Sequence, residues 1–219
     1  MYHRKNGGAL DLSQLSEAIV LMQDDQVIDL VMRALKKNIR TQDILEHGLI
    51  PGMKEVGDRF KKKEYYVPEV LLASEAFYAG FNIIQPLLKG DALIRRGKIV
   101  IGVVHGDIHD IGKNIVRVLI EAAGFHVVDL GKDVPVGRFI AAVRDEQPDI
   151  LALSSLMTTT MIKMGEIIRN LEQQELRARL KVIIGGAPVT REFAEKINAD
   201  AYGGNAADAV AIIENLLGG

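Results

Sequence analysis

From residue 98 onward the chain alternates short β-branched apolar runs with stretches of helical period, and few folds accept that rhythm. The runs are 98–104 (KIVIGVV), 126–130 (HVVDL), 149–153 (DILAL), 181–184 (KVII) and a short 199–202 (ADAY). Between and after them, 112–123, 136–147, 159–172, 190–197 and 205–217 carry helical spacing. Strands that are apolar on both faces must be covered on both, and strict β–α alternation supplies the covering helices. The expected fold is α/β, with five parallel strands in the flavodoxin-like (Rossmann-like) order 2-1-3-4-5.

The first part of the chain keeps helical spacing throughout. Ser13 is placed to cap a first helix holding Leu15 and Ile19, and Val27, Leu30, Val31 and Ala34 share one face of a second that ends near Asn38. Thr41 is placed to cap a third over 42–47, with Gly48 as its stop. Met53, Val56 and Phe60 continue to the basic run 61–63, which reads as a solvated helix end, and Pro68 suits the first turn of the last helix. Four or five helices on short loops predict a bundle. A polar stretch, 89–97, reads as a hinge, so the expected domains are a helical cap over 1–90 and an α/β domain over 91–219.

Composition narrows the chemistry. With no cysteine, disulfides, thiolate nucleophiles and iron–sulfur ligation are excluded together. A net charge of −2 with mixed signs argues against a nucleic-acid surface. The first twelve residues lack a signal-peptide core, and no apolar run is long enough to span a bilayer, so no membrane partner is expected and a cytoplasmic location is.

In doubly wound sheets ligands bind beyond the carboxyl ends of the strands. Here strand one ends in His105-Gly106-Asp107-Ile108-His109-Asp110-Ile111-Gly112, strand three in Ser154-Ser155-Leu156-Met157-Thr158, strand four in Gly185-Gly186 and strand five in Tyr202-Gly203. The small, hydroxylic and ionisable residues thus collect at one edge. Gly112-Lys113-Asn114 lacks the hydroxyl and spacing of a P-loop, and Gly106 and Gly112 lack the dinucleotide fingerprint. His105, Asp107 and His109 could form a metal triad on an extended segment. A His–Asp pair with Ser154 as nucleophile is also conceivable, although Ser154 has no nucleophile elbow. His3, His47 and His126 read as surface or packing residues.

Asp107-x-His109-x-x-Gly112, then Ser154-x-Leu156 after 41 residues and Gly185-Gly186 after a further 28, resembles the base-off/His-on cobalamin-binding family. The segments 56–60 (VGDRF) and 66–70 (YVPEV) resemble that family's helical cap. The chain is most similar to the small corrinoid proteins of methyltransferase systems, and is similar too to the B12-binding module of methionine synthase. The resemblance implies cobalamin (methylcobalamin or a related corrinoid) as cofactor, with His109 as lower axial ligand to cobalt. It implies Asp107 as hydrogen-bond partner of that histidine and Ser154 as the next member of a proton relay. Gly106, Ile108, Asp110, Ile111 and Gly112 would line the corrin, with Gly112 allowing a loop-to-helix turn and close approach. Ser154, Gly185, Gly186 and Gly203 would open a slot for the displaced nucleotide tail, walled by Leu156 and Tyr202 and bonded by Thr158. Phe60, Val67 and Val70 would shield the upper face. The implied role is a methyl carrier between a substrate-specific methyltransferase and a second methyltransferase acting on tetrahydrofolate or coenzyme M, served by a reductive activator. The alternatives are a B12-dependent sensor, disfavoured without a basic recognition helix, and the cobalamin-binding subunit of a mutase.

Overall fold

The computed structural model describes residues 11–88 and 96–217, so His3 and most of the expected hinge lie outside the described residues. The chain separates into two compact units, Met1–Gly90 and Asp91–Gly219.

The first unit is a bundle of α1 (Ser13–Val20), α2 (Asp24–Lys36), α3 (Thr41–Ile44), α4 (Ile50–Lys61) and α5 (Val67–Ile84). Leu15 and Ile19 of α1, Val27 and Val31 of α2, Met53 and Val56 of α4 and Phe77 and Ile84 of α5 are all almost fully buried. Two expected helix starts move. Ser13 lies inside α1, its N–H accepted by Asp11, and Thr41 is the first residue of α3, after Arg40. Pro68 does lie in the first turn of α5, where Glu69 accepts the Tyr66 N–H at 2.9 Å.

Gly48 does not stop its helix. The chain runs from α3 through a π-helical turn, Leu45–Leu49, directly into α4. A Cβ at Gly48 would lie 2.8 Å from Leu15 Cδ1, and one at Gly52 would lie 2.9 Å from the Ser16 carbonyl. Ser16 Oγ donates to the Gly48 carbonyl at 2.7 Å. Both glycines therefore let α1 press against this helix, and that packing outweighs the local tendency of glycine to end it.

The second unit holds β1 (Lys98–Val103), α6 (Ile111–Ala122), β2 (His126–Asp129), α7 (Val136–Glu146), β3 (Ile150–Ser154), α8 (Thr158–Gln173), β4 (Lys181–Gly185), α9 (Arg191–Lys196), β5 (Ala201–Gly203) and α10 (Ala206–Leu217). All strand pairs are parallel, in the order β2-β1-β3-β4-β5, as the alternation predicted. Alternate residues of each strand face opposite layers. Val100, Leu151, Leu153, Val182 and Ile184 pack with Phe139, Ile140, Met164, Ile167 and Ile168. Ile99, Ile101, Ile150, Ala152 and Ile183 pack on the other side with Ile120, Phe125 and Ile213. The loops after β1 and β3 emerge side by side from this double-faced core, because β1 and β3 are neighbours.

Candidate functional site

The loop between β1 and α6 turns at Gly106, which has φ +86°, and then drives Asp107 inward. Its carboxyl group is fully buried, yet both of its oxygens have hydrogen-bond partners. Oδ1 accepts the His109 N–H at 3.0 Å and faces His109 Nδ1 at 2.8 Å. Oδ2 accepts the Leu156 N–H at 2.6 Å and lies 3.2 Å from both Ser155 Oγ and Thr160 Oγ1. Burial pushes the Asp107 carboxyl up, but the His109 and Leu156 amides, the His109 ring and the Ser155 hydroxyl outweigh it and hold it well below the usual carboxylate range. Asp107 is thus a carboxylate whose bonds fix the orientation of one imidazole.

That imidazole is half exposed, at 48% of its side-chain surface. With Nδ1 committed to Asp107, Nε2 is the ring nitrogen left to meet a ligand. Three aliphatic residues of the same two loops face solvent: Ile108 and Ile111, which flank His109 in the chain, are 64% and 60% exposed, and Leu156, whose N–H binds Asp107, is 47% exposed. Exposed aliphatics on the loops that carry one oriented imidazole suit a surface built to be covered. Gly112, in the first turn of α6, adds room, since a Cβ there would meet no protein atom within 4 Å. Its place is inside the helix and it is not among the positive-φ residues. The expected loop-to-helix turn therefore does not require this glycine, and the turn is made at Gly106.

The expected relay needs correction at its second member. Among the described residues, the hydroxyls that reach Asp107 are those of Ser155 and Thr160, and Ser154 is not one of them. Ser154 closes β3, paired with Val103 and Gly185, and its carbonyl accepts the Val104 N–H. Side chains alternate along an extended chain, so the next residue is the one that turns to Asp107. Ser155 Oγ and Thr160 Oγ1 lie 2.8 Å apart, and both also approach the Met157 carbonyl. Two hydroxyl protons serve these contacts, so the pair has alternative proton arrangements. Thr160 escaped the sequence reading because its relevance comes from its position in the first turn of α8.

The metal triad does not form. His105 Nδ1 lies 2.8 Å from Asp133 Oδ1 instead, and no group of three His, Cys, Asp or Glu among the described residues is arranged to hold a metal ion. Lys113 is no phosphate ligand either: its side chain is buried and ion-paired with Asp129 at the end of β2. Asp110 faces Lys132 at 4.0 Å.

The glycines of the expected tail slot serve protein packing. A Cβ at Gly186, where φ is +128°, would lie 1.8 Å from the Ser155 carbonyl. One at Gly185 would come within 3.0 Å of the Gly203 carbonyl, and one at Gly203 within 3.1 Å of Ala209. Gly186 thereby lets β4 abut the strand that presents Ser155. Tyr202 packs against the core layer under α7 and α8, while Thr158, the first residue of α8, is exposed. In the helical unit Phe60 is half-buried and Val67 exposed, but Val70 is fully buried. Val70 therefore presents no surface with which to shield a ligand; at the first turn of α5 it faces inward with Ala73, Ser74 and Phe77.

Comparison with known proteins gives two family matches, each described as a B12 binding domain, over residues 97–213 and 12–85. The dimethylamine corrinoid protein 2 of Methanosarcina acetivorans is 42% identical over 207 residues, 94% of this chain and 95% of that protein. A cobalamin-binding protein from Desulfitobacterium hafniense is 36% identical with a TM-score of 0.75, covering 95% of this chain and 99% of that one. The methanol:cobalamin methyltransferase complex from Methanosarcina barkeri contains a chain 31% identical with a TM-score of 0.85, covering 95% of this chain and 80% of that one. No described helix is long and apolar enough to cross a membrane.

Proposed function

This chain belongs to the B12-binding corrinoid proteins of methyltransferase systems, and on that premise we propose that it holds cobalamin base-off and His-on through Nε2 of His109. The observation that carries this reading is the half-exposed imidazole, oriented by the buried Asp107 carboxylate, on loops that also expose Ile108, Ile111 and Leu156. A carboxylate on Nδ1 fixes the Nε2-ligating tautomer and raises the basicity of the ligating nitrogen. Bound there, the corrinoid supplies the methyl-accepting and methyl-donating chemistry, while the protein supplies orientation, exclusion of water and proton handling. Ser155 and Thr160 extend the hydrogen-bond chain from Asp107 and take the relay role first given to Ser154.

Gly106, Asp110 and the open position at Gly112 support the corrin beside His109. Ser154, Leu156, Thr158, Gly185, Gly186, Tyr202 and Gly203 surround the path of the displaced tail. We assign the shielding role to Phe60 and Val67 of the helical unit, with residues 1–90 as the cap and 91–219 as the cobalamin domain. The protein carries a methyl group from a substrate-specific methyltransferase to a second methyltransferase, with a reductive activator restoring the acceptor state. The relatives named for dimethylamine support a methylated amine as the source.

The test is the absorption spectrum of protein reconstituted with hydroxocobalamin, beside His109→Ala. Retained corrinoid with a lower-ligand signature that changes in the variant is expected. Identical spectra from the two proteins would overturn histidine ligation. Asp107→Asn is expected to shift the reduction potential of the bound corrinoid more than it reduces retention.

A further inference from the structure

The segment between β2 and α7 touches the ligand loop repeatedly without belonging to any motif of the sequence. Asp133 Oδ1 accepts the Gly106 N–H at 2.7 Å and faces His105 Nδ1 at 2.8 Å. The Asp133 N–H donates to the Asp107 carbonyl at 3.0 Å. One residue thus engages three consecutive positions, 105, 106 and 107, which end two residues before His109. Its backbone is unusual as well, with φ +55° in a residue other than glycine. Left-handed backbone at an aspartate persists where the surrounding bonds require it. Those bonds are here: the Val134 N–H donates to the Val103 carbonyl at 3.0 Å, and Val134 bridges Val104 in parallel fashion.

We infer that Asp133 is a positioning residue for the cobalt ligand, holding the turn at Gly106 so that Asp107 and His109 keep their register. The ligand loop is then clamped from both of its neighbours in the sheet. Leu156, Ser155 and Thr160, beyond β3, fix the Asp107 carboxylate, and Asp133, beyond β2, fixes the Asp107 main chain. Gly106 sits between the two clamps, with its N–H bound to the Asp133 carboxylate. This inference rests on the His109 ligation proposed above.

The variant of choice is Asp133→Gly, because glycine takes the same backbone conformation without strain while removing the carboxylate. Asp133→Asn keeps an oxygen that can accept from Gly106 and is the rescue. In the apo-protein, hydrogen exchange of the Gly106 amide is expected to speed up about tenfold or more in Asp133→Gly, the loss of a charge-assisted bond, and to return most of the way in Asp133→Asn. In protein reconstituted with hydroxocobalamin, the His109 lower-ligand signature is expected to weaken in Asp133→Gly and recover in Asp133→Asn. If Asp133→Gly matches wild type in both measurements while His109→Ala differs, the positioning role is overturned. If a slower or unchanged Gly106 amide accompanies a weakened signature, the clamp at Gly106 is overturned as its cause. If His109→Ala matches wild type, the ligation reading fails instead, and the Gly106 exchange rate still decides whether the clamp exists.

Discussion

At the amino edge of the sheet, Asp149 accepts the Lys98 N–H at 2.8 Å, and Asp200 accepts the Val182 N–H at 2.7 Å while pairing with Arg177 and Lys181. At the carboxyl edge, Asp107 gathers two amides, an imidazole and two hydroxyls. Both edges use a carboxylate to tie together segments distant in sequence. They differ in what the carboxylate holds. Asp149 and Asp200 hold main chain and cations, and their bonds close on the protein. Asp107 holds a side chain that is itself half exposed and bordered by uncovered aliphatics. A dense polar network therefore does not mark a binding site by itself. The mark is a network that ends on one oriented group facing an apolar surface.

Four measurements test whether the two edges differ in this way, and the first should have the greatest consequence. Gly186→Ala forces a Cβ into the Ser155 carbonyl at a φ that suits only glycine. It is expected to cost about 3 kcal/mol or more in a urea unfolding series, and a small loss would mean that the loop bearing Ser155 is not fixed. Next comes the pair Asp107→Ala and Asp200→Ala. The first leaves the Leu156 amide and two buried hydroxyls without their acceptor and is expected to cost about 3 kcal/mol. The second, more exposed, is expected to cost about 1–2 kcal/mol. Corrinoid retention should fall only for Asp107→Ala, and an equal fall for Asp200→Ala would erase the distinction between the edges.

The third concerns acid. Asp107 is held below its unfolded value, so its contribution to stability is complete above the unfolded pKa of about 3.9 and is lost as pH falls toward the depressed native value. The difference in unfolding midpoint between wild type and Asp107→Asn should shrink as pH is lowered from 5 to 3, and a constant difference would contradict that sign. The smallest effect is Gly112→Ala. With nothing within 4 Å of the new Cβ, a helical alanine should stabilise the apo-protein by about 0.5–1 kcal/mol while weakening corrinoid retention. Lost stability would show that Gly112 serves the fold instead of open space.

The β-branched runs announced the sheet, because a strand buried on both faces admits almost no polar residue, and the observed order follows from the alternation. The pairing of His109 with Asp107 was anticipated through the resemblance carried by Asp107-x-His109-x-x-Gly112, and the two do meet at 2.8 Å. Gly48 was misread because its meaning lies in Leu15 and Ser16, which approach it from another helix. Ser155 and Thr160 were missed for a related reason: which of several neighbouring hydroxyls faces Asp107 depends on the pleat of β3 and the first turn of α8. The close neighbours of Gly185 and Gly203 were hidden in the same way, since composition shows that a residue is small but not that the Gly203 carbonyl and Ala209 stand beside it. Asp133 gave no local signal, because its partners lie 27 positions away.

The three uncovered aliphatics beside His109 bear on how the chain behaves before it is loaded. Ile108, Ile111 and Leu156 keep an ordered hydration shell that a bound ring would release. Loading should therefore carry a negative heat-capacity change, visible by calorimetry at several temperatures.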